Sequence, residues 1–210
     1  MNFPAIFNFL PPFSFSTIEQ PFSQSLTWVQ QYFPLITPTV GIYRLAYGVI
    51  ETQVYAHSPH SKNLFKITRH TQCYLPPQTL FYLHGILFGC SGAANLAYSL
   101  QHYNLVNIPF PKERMLAYAG GFFLASHLLS LIYYSQLFLC AKEIHQQEPE
   151  LSANLRAYAL KGIGASLAAI ISSVAAFLCP SGLIFFLLVG IASLTGFLNA
   201  VSNYFSSFYL

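Results

Sequence analysis

A chain of 210 residues with 54% hydrophobic and only 7% charged residues lacks the polar coat of a soluble domain, where about 25% of residues are charged. Its formal charge is +3, from nine Lys and Arg and six acidic residues, all of them Glu; that is too weak and too dispersed for a nucleic-acid partner. What fits is an integral, multi-pass membrane protein: an all-α, polytopic transmembrane helical bundle whose constant partner is the lipid bilayer.

In chain order, residues 1–78 read as an amino-terminal, aromatic- and Pro-rich, membrane-proximal segment, and 79–210 as the transmembrane domain. The first 38 residues carry one charge, Glu19, and have no basic n-region of a signal peptide, so the segment is expected to be retained and to lie near the headgroups. A short helix is expected around Ser25 to Phe33. Residues 39–57, TVGIYRLAYGVIETQVYAH, set Ile42, Leu45, Ala46, Val49 and Ile50 on a helical stripe with Thr39 as cap. Arg44 and Glu51 sit inside that stripe, and a charge near the centre of a spanning helix costs about 2.5–3.5 kcal/mol on insertion scales. The segment is therefore expected to be an interfacial amphipathic helix rather than a fifth span.

Four stretches, about 79–100, 115–141, 160–179 and 182–204, are free of Asp, Glu, Lys and Arg in their interiors. Each reaches the roughly 20 apolar residues needed to cross the hydrocarbon core. Tyr74, Tyr82, Tyr98, Tyr103 and Tyr204 mark their ends as an aromatic belt would. Only Pro180, Ser181 and Gly182 separate the last two, which predicts an antiparallel hairpin. Lys62, Lys66 and Arg69 precede the first span, and Lys142, Arg156 and Lys161 lie in or beside the 142–159 loop, against Lys112 and Arg114 on the other side. The positive-inside rule then puts the 58–78 segment, the 142–159 loop and the carboxyl terminus in the cytoplasm.

The four cysteines, Cys73, Cys90, Cys140 and Cys179, are scattered without a C-x-x-C pair, which argues against a disulfide framework or a metal site. No G-x-x-x-x-G-K-[ST], G-x-G-x-x-G or H-E-x-x-H occurs, so nothing points to a phosphate-bearing or metal cofactor. None of the four spans contains a carboxylate, the usual element of proton-coupled transport.

The helix faces carry the remaining information. Gly162, Ser166, Ala169, Ser173 and Ala176 form a small-residue stripe that Ala192, Gly196, Asn199 and Asn203 answer on the next span; such stripes let backbones approach closely. In the first span His84, Ser91, Asn95 and Tyr98 share a face, and in the second His127, Ser130 and Tyr134 do so. Intramembrane ionisable residues are functional candidates by default, although interhelical hydrogen bonds explain the same pattern as packing.

Gly89-Cys90-Ser91-Gly92 resembles the G-x-S-G nucleophile motif of rhomboid intramembrane proteases, which pair that serine with a histidine on another helix. The resemblance covers four residues and implies Ser91 as nucleophile and His127 as base. It departs from the family in span number, four against a core of six, and in placing the histidine one helix after the serine instead of two. Packing through Gly85, Gly89 and Gly92 explains the same glycines. The two closely spaced spans of 160–204 also resemble the bilobed hydrophobic segment of inclusion-membrane proteins of intracellular bacteria, a signal that any helical hairpin gives.

The sequence thus favours a non-enzymatic structural or interaction protein that acts through helix packing, as a homo-oligomer or with a partner membrane protein. A small transporter or channel component is the second expectation, and an intramembrane serine hydrolase using Ser91 and His127 the third.

Overall fold

A computed structural model describes residues 37–58, 62, 76–178, 191 and 194. Every regular element among them is helical. The segments 1–36 and 182–204, with the expected fourth span, Gly196 and Asn199, lie outside the described residues, apart from residues 191 and 194. Helix α1 covers 37–50 and continues into a π-helical turn, Glu51–Tyr55. Then come α2 (Pro77–His102), α3 (Lys112–Glu143), a 3-10 turn (Ile144–Gln146) and α4 (Pro149–Leu178).

Local chemistry fixes the boundaries. Proline opens α2 and α4 and caps α3 at Pro111; its fixed φ suits the first helical position, where its missing N–H costs nothing. At the end of α2, Asn104 adopts a left-handed φ of 57°. The Asn104 N–H donates to the Gln101 carbonyl and the Leu105 N–H to the Leu100 carbonyl, a Schellman closure of the helix. Gln101 Nε2 then donates to the Ile108 and Phe110 carbonyls and pins the loop back onto the end of α2. α4 begins about three turns earlier than the apolar run at 160 suggests, because Pro149 and Glu150 make a good first turn.

Three of these helices, α2, α3 and α4, are long and apolar enough to cross a membrane. They form an antiparallel series. α2 and α3 meet through Ser91 and Ala119, His84 and His127, and Phe81 and Tyr133. α3 and α4 meet through Tyr134 and Tyr158, and through Ser152, whose hydroxyl donates to the Ala141 carbonyl. The small-residue stripe of α4 faces this core. Gly162 lies under the Tyr134 ring, Ala169 packs with Phe88 and Phe123, and Ser166 is buried.

α1 runs antiparallel along α2 from Thr37, hydrogen-bonded to Ser99, to His57, bonded to Tyr82. The helix is about 28 Å long at 1.5 Å per residue. Close approach depends on glycine. A methyl at Gly48 would strike the backbone of Gly85 and Gly89, and one at Gly92 the backbone of Gly41 and Leu45. The expected interfacial helix is thus packed lengthwise against the first span, and its polarity is inverted. Ile42, Val49 and Val54 are 60%, 54% and 55% exposed, while Arg44 and Glu51 are 8% and 5% exposed. The other helices follow suit. Leu83, Ile86, Leu128, Ile132, Leu139, Leu160 and Ile171 face outward while His84, Ser91, Asn95, His127 and Ser166 face inward. Aliphatic side chains on the exterior and polar ones buried among the apolar core clusters differ from the polar-coated surface of a water-soluble bundle and are compatible with a lipid surround.

Gly92→Leu should destabilise the bundle by about 1–3 kcal/mol, the usual cost of overpacking. Gly164→Leu, whose added Cβ meets nothing, should be tolerated. A Thr37→Cys, Ser99→Cys pair in an otherwise cysteine-free chain should form a disulfide that Gly92→Leu abolishes.

Candidate functional site

The seam between α1 and α2 is built on a repeat of seven residues, two helical turns, which keeps side chains on one face. Gly41 and Gly48 on α1 oppose Gly92 and Gly85 on α2. In the same antiparallel register, Arg44 and Glu51 oppose Ser91 and His84. The glycines bring the helices together, and the charged residues between them find their partners.

At the first rung, Arg44 Nη1 donates to Ser91 Oγ at 2.8 Å, and Ser91 Oγ donates to the Ala119 carbonyl of α3 at 2.7 Å. The guanidinium carbon lies 4.0 Å from the Phe123 ring centre and 5.9 Å from that of Phe88, so two aromatic faces take part of the cation's field. Arg44 is thereby tied to both α2 and α3. No carboxylate pairs with it among the described residues.

At the second rung, His84 Nδ1 lies 2.5 Å from Glu51 Oε2, both groups buried. Glu51 opens the π-helical turn of α1, a local widening that recurs at functional sites. His84 stacks on Phe88 and meets the edge of His127 at 6.1 Å between ring centres. Beside the pair is a small cavity of about 30 Å³, walled by all four helices. Glu51, His84, His127, Ser130 and Ser166 supply its polar groups, and Tyr47, Phe81, Phe88 and Tyr134 its aromatic ones. Ser166 Oγ is buried there with no hydrogen-bond partner among the described residues.

The residues expected to form an intramembrane polar face divide between these features. His84, His127 and Ser130 reach the cavity. Ser91 belongs to the Arg44 rung. Asn95 is buried one turn beyond it, its Nδ2 without a partner among the described residues. Ser91 and His127 do not form a dyad. The Ser91 hydroxyl hydrogen is engaged by the Ala119 carbonyl, and His127 Nδ1–H donates to the Phe123 carbonyl at 3.0 Å. The glycines Gly85, Gly89 and Gly92 line the α1 seam. Ser173 donates to the Ala169 carbonyl within α4. Among the described residues no three His, Cys or Glu side chains converge to hold a metal ion.

Arg44 and Glu51 are not among the site residues expected from sequence. Their signal is present as matched seven-residue spacings on two neighbouring segments, glycine with glycine and charge with polar partner. No family model, no curated protein and no solved structure matches the chain.

Removing Ser91 strands a buried cation, whereas removing Arg44 as well removes the problem. Ser91→Ala should therefore cost about 1–3 kcal/mol in the native background and clearly less in an Arg44→Met background. Reversible unfolding of the four members of that double-mutant cycle, in one detergent, checks the coupling.

Proposed function

We propose that the chain is a multi-pass membrane protein in which α1 crosses the bilayer beside α2, and that it acts through helix packing with itself or a partner membrane protein, without enzymatic chemistry. The observation that carries this reading is the inverted polarity of α1. A helix lying in the headgroups would turn Arg44 and Glu51 toward water and its aliphatic face toward the acyl chains. Here both charges turn inward and the aliphatic face outward, which suits lipid on the outside over the whole length. The length agrees, since about 28 Å of helix nearly matches a hydrocarbon core of roughly 30 Å. His57 and Tyr82 stand at one end, and Tyr98, His102 and Tyr103 cluster at the other, where aromatic side chains favour the membrane interface.

On this reading the 58–76 connection and the turn after α3 share one side, and the 103–111 loop and the start of α1 share the other. Lys62, Lys66, Arg69 and Lys142 outnumber Lys112 and Arg114, so the first side is assigned to the cytoplasm. The carboxyl terminus joins it if 182–204 crosses as well.

A small transport component is the second reading, favoured by one observation: a polar cavity bordered by a buried carboxylate and two histidines. Weighing against the hydrolase reading, the Ser91 hydroxyl is bonded to a carbonyl and to Arg44.

Single cysteines replacing Thr39 and Val106 should react with an impermeant maleimide from one side of sealed vesicles, and those replacing His57 and His145 from the other. Equal labelling of Thr39→Cys and His57→Cys from one side would return α1 to the interface. A fluorophosphonate probe should leave Ser91 unlabelled; a signal lost in Ser91→Ala would restore the hydrolase.

A further inference from the structure

The packing role does not use the cavity at the second rung, and three observations meet there. Glu51 and His84 hold each other at 2.5 Å, both buried. The adjoining space of about 30 Å³ has room for a water molecule or two. Ser166 Oγ, 1% exposed, lines that space with no hydrogen-bond partner among the described residues. A buried hydroxyl without a partner is costly, and a water between it and the pair satisfies it.

Charge balance states what the pair can bind. The titratable and charged groups around it are Tyr43, Arg44 and Tyr47 from α1 and His127 and Tyr134 from α3, while α4 lends only Ala165 and Ser166 to the cavity wall. With one proton shared, Glu51 and His84 are neutral as a unit. In apolar surroundings the uncharged form, a carboxylic acid donating to imidazole, avoids separated charge. Losing that proton leaves one carboxylate, whose charge is balanced by Arg44 two turns away on the same face, about 10 Å along the helix. Gaining a second proton leaves an imidazolium with Arg44 as a like charge and no anion facing it. Two states that differ by one proton are therefore compatible with the site.

We propose that Glu51 and His84 form an intramembrane proton-binding site that exchanges one proton through a water held by Ser166 in the adjoining cavity. The step is a proton transfer alone: the acid gives H⁺ to the cavity water, which passes a proton to bulk water and is restored, leaving Glu51 as a carboxylate beside neutral His84. The proposal rests on the reading of α1 as a spanning helix, and it gives the transport reading a defined ligand.

The test is pH-difference infrared spectroscopy of the full chain in phosphatidylcholine vesicles, in H₂O and D₂O. Acidification should raise the carbonyl band of a protonated carboxyl that is lost in Glu51→Gln and shifted in frequency in His84→Gln. In Ser166→Ala the band should remain but take up deuterium more slowly. The Thr37–Ser99 crosslink verifies that each variant is assembled, and the wild-type titration and the Ser166→Ala arm stand even if Glu51→Gln fails to assemble. A band absent from the wild type, or unchanged in an assembled Glu51→Gln, overturns the site. Deuteration equally fast in wild type and Ser166→Ala overturns the water route. The maleimide map reads the topology independently, so a failure of the spanning reading is distinguishable from a failure of the proton site.

Discussion

A charge at the centre of a spanning helix costs about 2.5–3.5 kcal/mol on insertion scales, and α1, on the reading proposed for it, takes two ionisable side chains, Arg44 and Glu51, into the bilayer. Everything distinctive about the bundle follows from how that cost is met. Gly41, Gly48, Gly85 and Gly92 let two backbones come close enough that Arg44 and Glu51 are enclosed by α2 and α3. Ser91, the Ala119 carbonyl and the Phe123 ring then receive the cation, and His84 receives the carboxylate. Interhelical hydrogen bonds in such settings are worth only about 0.6–2 kcal/mol each. The charged groups thus owe their tolerance to enclosure and pairing together, and neither glycine seam nor polar rung would serve without the other.

How much of this the sequence discloses depends on which physics sets each element. The helices at 77–102, 112–143 and 149–178 are legible because a long uncharged run is a local property that needs no neighbour to interpret it. Their ends are less so: α4 reaches back to Pro149 across Arg156 and Lys161, charges that a helix can carry near its end but that a charge-free window excludes. The packing of α1 is hidden in the sequence for a related reason. Arg44 and Glu51, considered alone, argue for an interface, and their partners on α2 are what support the proposed spanning reading instead. Those partners are a tertiary fact. The matching sevenfold spacings of Gly41 and Gly48, Gly85 and Gly92, Arg44 and Glu51, and His84 and Ser91 encode it, but they become meaningful only once the two segments are paired antiparallel.

The same distinction applies to the polar faces. His84, His127 and Ser130 can be grouped from sequence on neighbouring helices, because heptad and i+3 spacing put them on one side of each. The stripe of Gly162, Ser166 and Ala169, expected to serve a hairpin with the following span, faces α3 and the cavity. Small residues advertise close packing without naming what packs. Gly89-Cys90-Ser91-Gly92 makes the point most clearly: a motif that resembles a protease elbow is here the place where a buried arginine is received.

The depth of α1 is the quantity on which all of this turns. Spin labels placed at the exposed positions Ile42, Val49 and Val54, in the full chain in lipid vesicles, report immersion through their relative exposure to oxygen and to a water-soluble relaxant. A spanning α1 makes Val49, near the middle of the helix, the deepest, with Ile42 and Val54 shallower on opposite sides. One shallow depth shared by all three would contradict it, and with it the claim that Arg44 and Glu51 are carried into the membrane.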